Sequence, residues 1–452
     1  MRISSDSTGS SRNLLSTRRS FLRNGMLGAA TAYSVPTFVH NTFLSLNASA
    51  EGSAIQTDTG KESPILVVLQ LAGGNDGLNT VVPYADDAYY QARPRLGLKA
   101  ESLFKLNDQL GLSDALPFLH SVYDKGNLAI VQGVGYPNPN RSHFRSTEIW
   151  QAATDADAVS KTGWLGRYFD SCCQGAEPDP SVGVALSKKQ PQSFSAKKNP
   201  GISLSSPELY RWIRGGGSDD LADAIFEELN SPDREMQMEE DAGGGSIDEN
   251  VGKSGGIAGE STLDFLERTA MDARLSSDEI VEISHKHKSK TKYPGSKLAT
   301  NLSLVGRMIA GGLKTRVYYV SHGGFDTHRN QSQSHSRLIS EMDSALKAFM
   351  TDLKEQGNAD RVTVMTFSEF GRRVEENASG GTDHGAAAPL FVLGGGVKGG
   401  IYGKHPSLTD LNRGDLKFNV DFRSVYATVL EQRLKAPSKE ILGREFEKLA
   451  FL

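Results

Sequence analysis

The sequence has little cysteine, no strong excess of charge of either sign and no long hydrophobic run. Its 452 residues include 2 Cys, the adjacent Cys172 and Cys173, which excludes a disulfide-stapled scaffold and predicts reduced thiols. Lys and Arg number 50 against 54 Asp and Glu, so the strongly basic surface of a nucleic-acid-binding protein is excluded and no nucleic-acid partner is expected. With 38% hydrophobic residues, the chain is neither a coiled coil nor wholly disordered.

Paired arginines near the amino terminus precede a short, weakly apolar stretch. Residues 17–23 read Thr-Arg-Arg-Ser-Phe-Leu-Arg, a Gly- and Ala-rich segment follows at 25–39, and residues 48–50 fit an Ala-x-Ala cleavage pattern. The pattern resembles a twin-arginine export signal; an amphipathic helix with an accidental Arg pair is the alternative. We expect residues 1–50 to be a signal peptide read by the twin-arginine translocation machinery, and the protein to be periplasmic or exported. The apolar stretch is too short for a stable membrane span.

Short apolar, β-branched runs recur along the rest of the chain, and most of them end in Gly, Asn, Asp or Ser. Each run predicts a buried strand whose carboxyl end delivers side chains to one edge of a sheet. The runs are 63–71, 128–135, 316–320, 361–367 and 389–393. Helical patterns lie between them, so residues 61–452 are predicted to form one α/β domain. We expect a three-layer sandwich with a mostly parallel sheet.

Two glycine-rich segments differ from this pattern. Residues 215–259 are rich in Gly, Ser, Asp and Glu, which predicts a flexible, low-complexity insertion within the α/β domain. Residues 394–400 read Gly-Gly-Gly-Val-Lys-Gly-Gly and predict tight turns, because they lack the spacing and the following Ser or Thr of a phosphate-binding loop. No dinucleotide-binding fingerprint occurs elsewhere in the sequence.

Acidic and histidine side chains stand at or near the ends of several predicted strands. They are Asp76, Asp326, His328, Glu369, Asp383 and His384. Carboxylates and imidazoles gathered at one sheet edge are the ligand set of a divalent cation such as Zn, Mn or Mg. Any one of them could instead be a turn or capping residue, as is common for an Asp between Asn75 and Gly77. Their recurrence after the strands favours a joint metal site.

Short motifs surround these residues. They are GGNDGLNT at 73–80, SHF at 142–144 with Trp150, GWLGRY at 163–168, GFDTH at 324–328, SEFGR at 368–372 and GTDHG at 381–385. Together they resemble the motifs of domain-of-unknown-function family 1501, from about Pro64 to the carboxyl terminus. That family is grouped with the alkaline phosphatase-like superfamily of phosphatases, sulfatases, phosphodiesterases and phosphoglycerate mutases. The resemblance implies the corresponding fold and a metal-dependent reaction on phosphate or sulfate esters.

The resemblance also implies roles for individual residues. Asp76 matches a metal-binding Asp at the end of the first strand, Asp326 and His328 match an Asp/His pair that serves one metal, and His384 matches a final His ligand. Ser142 matches a nucleophile at a helix amino terminus, although a simple N-cap Ser explains it equally well. The arginines at 141, 145, 372 and 373 are candidates to hold the anionic oxygens of the substrate, and Arg372 is the one we select.

One position departs from the superfamily pattern. Phe370 stands where the resemblance implies a His ligand of a second metal, and phenylalanine cannot ligate a metal. The second site would therefore lose an imidazole unless His322, His143 or Asp383 takes its place. This departure puts a two-metal reaction in doubt.

The expected function is that of an exported hydrolase acting on an anionic ester, either a small molecule or a polysaccharide. The expected cation sites are an intact one formed by Asp326, His328 and His384 and a degenerate one formed by Asp76 and Glu369. The reaction would be an in-line displacement with Ser142 or a metal-bound water as nucleophile. The alternative is a non-catalytic protein on the same fold that binds the cell envelope or a polysaccharide.

Overall fold

The computed structural model describes residues 63–172, 179–204, 280, 282–283 and 286–452. The predicted signal peptide at 1–50, the predicted insertion at 215–259 and Cys173 lie outside the described residues and stay predictions. None of the described helices is both long enough and apolar enough to cross a membrane.

The strands of the described chain form a 9-stranded main sheet and three small sheets. In chain order they are β1 (Ile65–Ala72), β2 (Val81–Val82), β3 (Phe104–Lys105), β4 (Gly111–Leu112), β5 (Leu128–Gly135), β6 (Gly183–Leu186), β7 (Ile202–Leu204), β8 (Val317–Gly323), β9 (Val362–Phe367), β10 (Arg372–Glu376), β11 (Thr382–His384), β12 (Ala388–Gly394), β13 (Gly400–Tyr402), β14 (Leu411–Asn412), β15 (Asp415–Leu416) and β16 (Val420–Asp421). The main sheet has the order β13-β5-β12-β9-β1-β8-β6-β7, and β16 pairs with β5. Only β12 runs antiparallel to its neighbours in this sheet, which confirms the predicted mostly parallel architecture.

The helices lie between these strands in the chain. They are α1 (Asp87–Ala92), α2 (Pro117–Asp124), α3 (His143–Ala152), α4 (Trp164–Cys172), α5 (Lys297–Ala310), α6 (Gln331–Glu355), α7 (Phe422–Thr428) and α8 (Ser438–Leu442), with a π-helical turn at Val429–Arg433. Single 3-10 turns occur at Gly77–Asn79, Ala100–Ser102, Pro180–Val182, Gln192–Phe194 and Ala359–Arg361.

Helices cover both faces of the main sheet. Along β1, Val67 and Leu69 face a core shared with α2, α5 and α6, whereas Leu66 and Val68 face a core shared with α3, α4, α7 and α8. All four side chains are buried, as expected for a central parallel strand with helices on both sides. The predicted three-layer α/β sandwich is therefore confirmed.

The central strands β1, β8 and β9 end together at one edge of the sheet. In register, Ala72 lies beside Gly323, and Gln70 lies beside Phe367. The loops that follow approach each other closely, because a Cβ at Gly73 would overlap the backbone of residues 325–326. Gly73 also has a φ of +120°, which favours glycine. This edge therefore brings together the segments 73–77, 324–328 and 368–371.

Candidate metal centre

Three imidazoles and one carboxylate meet at this edge of the sheet. His143 begins α3, Asp326 and His328 lie in the loop after β8, and His384 ends β11. One ligand atom each of His143, Asp326 and His384 lies within 4.8 Å of the others. His328 completes the group, since its Nε2 lies 3.1 Å from Asp326 Oδ1 and 2.9 Å from His384 Nε2. We call these four residues the histidine cluster.

The other ring nitrogen of each histidine contacts an oxygen acceptor. The pairs are His143 Nδ1 with Glu369 Oε1 at 2.9 Å, His328 Nδ1 with Asp383 Oδ1 at 3.1 Å, and His384 Nδ1 with the Arg141 carbonyl oxygen at 2.8 Å. These oxygens accept hydrogen bonds, so each neutral ring carries its proton on Nδ1 and donates it outward. The three Nε2 lone pairs then face the interior of the cluster. This arrangement is typical of histidines that ligate a metal.

The contacts inside the cluster favour a cation between the rings. His328 Nε2 and His384 Nε2 are 2.9 Å apart, and two lone pairs at that distance repel each other unless a proton or a cation lies between them. His143 Nε2 is buried and makes no hydrogen bond within the described chain. Two imidazole nitrogens on one tetrahedral Zn²⁺ are about 3.3 Å apart, so the His328 and His384 rings would separate by about 0.4 Å to hold the ion. The residues present therefore fit a bound divalent cation.

Asp326 is prepared to be an ionised ligand. Partial burial raises its pKa, but the hydrogen bond and the positive charge of Arg372, together with the contact to the His384 ring, outweigh burial and hold the pKa at about 2. Arg372 Nη2 donates to Asp326 Oδ1 at 2.9 Å. The side chain is 47% exposed, so the cluster opens to solvent on one side. The carboxylate is negatively charged throughout the neutral range.

Glu369 and Asp383 stand behind the cluster histidines. Glu369 Oε1 contacts the His143 ring and also accepts from the Gly73 N–H at 2.8 Å, while its Oε2 is buried without a hydrogen bond in the described chain. Asp383 accepts from Asn377 at 3.2 Å, and this hydrogen bond, with that from His328, lowers its pKa. These two predicted ligands are therefore placed to orient imidazoles.

Asp76 lies in a separate buried network. Its Oδ2 accepts from Arg93 Nη1 at 2.6 Å and from Gln331, and its Oδ1 accepts from the Leu78 N–H at 3.2 Å. Burial raises the pKa of Asp76, but the charge and hydrogen bond of Arg93 outweigh burial and lower it. A guanidinium thus occupies the side of this carboxylate where a second cation was expected. Asp76 and Glu369 thus have separate partners in the described chain, Asp76 with Arg93 and Gln331, and Glu369 with His143 and Gly73.

Arg372 connects the loops beneath the cluster. Besides Asp326, its N–H groups donate to the carbonyl oxygens of Gly73, Gly74, Phe325 and Thr382. Its side chain is fully buried, and all three of its guanidinium nitrogens already donate hydrogen bonds to the protein. The geometry therefore gives Arg372 a positioning role toward Asp326 and leaves little of it available to a substrate.

Phe370 forms an apolar wall of the cluster. Its ring lies 4.9 Å from the His143 ring and 4.5 Å from the His384 ring, centroid to centroid, and the side chain is buried. Of the three proposed substitutes for the missing imidazole, only His143 directs a ring nitrogen into the cluster, since Asp383 contacts the outer nitrogen of His328. His322 is buried elsewhere, with its Nε2 3.0 Å from the Leu338 carbonyl oxygen. The sequence signal for His143 was its place in the SHF motif.

Ser142 lies at the edge of the cluster. It is the N-cap residue of α3, but its side chain makes no capping hydrogen bond and is exposed. It stands between Arg141, whose carbonyl contacts His384, and His143. Its hydroxyl and the first N–H groups of α3 are therefore available to a group bound beside the cluster.

The model of DUF1501, described as a protein of unknown function, matches residues 129–443. The chain belongs to this family. The matched residues include Ser142 and the whole histidine cluster, whereas Asp76 lies outside them, so the match is narrower than the expected start at Pro64. None of the curated proteins matches the sequence.

Several solved structures are similar to the chain at low identity. The lipoteichoic acid synthase LtaP from Listeria monocytogenes is 10% identical, with 90% of this chain and 79% of that chain covered and a TM-score of 0.34. The sulfatase PsFucS1 from Pseudoalteromonas sp. is 10% identical, with 93% and 75% covered and a TM-score of 0.34. The alkaline phosphatase of the Antarctic bacterium TAB5 is 11% identical, with 75% and 95% covered and a TM-score of 0.28. Scores of this size support no conclusion about shared chemistry.

Proposed function

We propose that this protein is an exported hydrolase of phosphate or sulfate esters that uses one divalent cation. The observation that carries the proposal is the approach of three histidine Nε2 atoms to the Asp326 carboxylate oxygens, at 3.4 Å for His143 and 3.1 Å for His328 and His384, with each ring held through its Nδ1. A donor set of three nitrogens and one oxygen favours Zn²⁺ or Mn²⁺ over Mg²⁺, which prefers oxygen ligands. The pairing of Asp76 with Arg93 argues for one cation per chain rather than two.

Each residue has a defined part in this proposal. A cation held by the histidine cluster would supply Lewis-acid polarisation of an ester oxygen. Ser142 is the nucleophile, because its hydroxyl is uncapped and next to the cluster in the chain. The free N–H groups at the start of α3 bind the anionic oxygens of the ester, helped by the positive end of the helix dipole. Arg372, Glu369 and Asp383 hold the cluster in place.

The first test is metal content. Protein purified from its export compartment is measured by elemental mass spectrometry as wild type, as Asp326→Ala/His384→Ala and as His322→Ala. His322 is a matched control, since it is a buried histidine at the end of the same strand that precedes Asp326 but lies outside the cluster. We expect about one equivalent of Zn or Mn in wild type and in the control and none in the double variant. Wild type without metal after reconstitution would refute the metal centre.

The second test is turnover. Metal-loaded wild type is assayed with 4-nitrophenyl phosphate, bis(4-nitrophenyl) phosphate and 4-nitrophenyl sulfate, beside Ser142→Ala. Loss of a nucleophile typically lowers kcat by several orders of magnitude, so a collapse in Ser142→Ala supports covalent catalysis. Retained turnover in that variant would support water as nucleophile. A metal-loaded wild type that hydrolyses neither these esters nor sulfated or phosphorylated oligosaccharides would favour the non-catalytic binding protein.

Export is a part of the proposal that the amino-terminal sequence supports. Arg18 and Arg19 form the paired arginines of the pattern. Replacing both with lysine keeps the charge but removes the pair, so the precursor is expected to stay inside the cell. Western blots of fractionated cells measure this. Unchanged export of the Lys-Lys variant would contradict the twin-arginine route.

A further inference from the structure

A cavity separate from the histidine cluster opens at the same edge of the sheet. It has a volume of about 590 Å³ and is lined by the ends of β6 and β8, the first turns of α5 and the first half of α6. This volume lies in the range of about 300–1,000 Å³ that is typical of ligand sites. None of the residues assigned to the histidine cluster lines this cavity.

The described lining carries positive charge that no described carboxylate pairs with. Lys188 follows β6 and Lys297 begins α5, and neither ammonium group has an ion-pair partner in the described part of the chain. Arg337 also lines the cavity, but it is paired with Glu341 at 2.5 Å. The amino terminus of α5, a helix of 14 residues, adds the positive end of its dipole. Two free cations and a helix terminus thus face one space, which favours an anionic occupant.

The remaining polar lining suits a hydroxyl-rich molecule. Ser187, Asn301 and Ser321 border the cavity, and the side-chain amide of Asn301 makes no hydrogen bond to another described residue. Amides and hydroxyls both donate to and accept from sugar hydroxyl groups. The lining thus combines partners for an anionic group with partners for a saccharide ring.

The cavity and the cluster are neighbours along the chain. Gly323 lines the cavity, and Asp326 follows three residues later. Three residues span at most about 10 Å, so one extended molecule can reach from the cluster into the cavity. A substrate that carries several anionic groups at intervals of this order would contact both places at once.

We propose that this cavity binds a second anionic group of an oligosaccharide substrate while the ester to be cleaved lies at the histidine cluster. The inference rests on the proposed function, because it names the class of substrate for that site: a saccharide chain with more than one sulfate or phosphate group. Small monoesters are then poor substrates, since they leave the cavity empty.

Two independent changes alter the cavity. Lys188→Ala/Lys297→Ala removes both free charges, and Lys125→Ala/Lys439→Ala is the matched control, because those two lysines are exposed on helix ends elsewhere. Gly323→Glu places a negative charge in the cavity. A Cβ at Gly323 meets no atom within 4 Å and its φ lies outside the left-handed region, so the substitution fits without strain.

The probe is a sulfated heparin tetrasaccharide, and its binding to the metal-loaded full chain is measured by calorimetry at 150 mM salt, with metal content measured in parallel. We expect binding to weaken about tenfold or more in Lys188→Ala/Lys297→Ala and in Gly323→Glu, and to be unchanged in the control. Equal weakening in the control would mean unspecific charge attraction and would overturn the proposal, as would unchanged binding in both cavity variants or no binding by wild type. Wild type that binds the tetrasaccharide through the cavity but holds no metal would instead refute the proposed function alone.

Discussion

Replacing Asp76 with Asn distinguishes two possible roles of this carboxylate, as a partner in a structural ion pair or as a metal ligand. The carboxylate and Arg93 are both buried, with the charged atoms 2.6 Å apart. If Asp76 serves only to neutralise Arg93, Asp76→Asn should lower the free energy of unfolding and leave the bound metal at one equivalent per chain. If it is a ligand of a second cation, the same change should lower metal content.

The size of the expected loss follows from the contacts of Arg93. Breaking a buried ion pair by removing one partner costs about 3–5 kcal/mol, because the remaining charge is uncompensated. Arg93 keeps its hydrogen bonds to Asn79 Oδ1 and to the Val374 and Arg373 carbonyl oxygens in the variant. We therefore expect the lower end, about 3 kcal/mol, which is a large part of the about 5–15 kcal/mol by which proteins are stable.

The assay is urea denaturation at pH 7 followed by fluorescence, with metal content measured on the same samples. Asp76→Asn/Arg93→Met removes both charges and should be less destabilised than the sum of the two single variants, since no charge is then left unpaired. A loss below about 1 kcal/mol in Asp76→Asn, or a loss of metal in that variant, would refute the reasoning.

Three further predictions concern groups around the cluster. Burial lowers the pKa of His335 to about 4, so on acidification the unfolded chain takes up a proton before the folded chain does. The free energy of unfolding should therefore fall as the pH drops from about 6.5 to 4, by up to about 1.4 kcal/mol per pH unit. In urea denaturation, this decrease should be less steep for His335→Gln. Asp415→Asn weakens the ion pair that holds Arg141, and the Arg141 carbonyl oxygen in turn holds the His384 ring. We therefore expect the Kd for Zn²⁺, measured by chelator competition, to rise about tenfold. An unchanged Kd would contradict this link. Gly74→Ala should lower the free energy of unfolding by about 2 kcal/mol or more, because φ is +82° and the new Cβ would overlap the Phe370 ring. A free energy of unfolding equal to that of wild type in urea would show that the ring moves aside freely.

The sequence predicted the part of the site that depends on strand ends. Apolar runs followed by Gly, Asn, Asp or Ser located β1, β8 and β9, and parallel strands bring their carboxyl ends to one edge. Asp326 and His328 follow such a run directly, whereas His384 was assigned to the same site through the resemblance to the superfamily pattern. Local periodicity was therefore sufficient for the strand ends but not for the full set of ligands.

The sequence could not show which atoms face inward. Glu369 and Asp383 have the same chemistry as Asp326, and only the three-dimensional contacts place them behind imidazoles rather than beside a cation. Arg93 carries no local signal either, since its role depends on reaching Asp76 across the short helix α1. Side-chain orientation and the pairing of buried charges are properties of the packed chain, so motif spacing does not determine them.

These contacts also bear on how metal binding relates to folding. The loops under the cluster are joined by the hydrogen bonds of Arg372 to Gly73, Gly74 and Phe325, and none of these needs a metal. The guanidinium of Arg93 likewise holds Asp76 in place through an ion pair that needs no metal. A small zinc domain unfolds without its metal because the metal replaces a hydrophobic core. Here the loops are anchored by fixed positive charges on a fully formed α/β core, so removal of the metal by a chelator should abolish activity while leaving the protein folded.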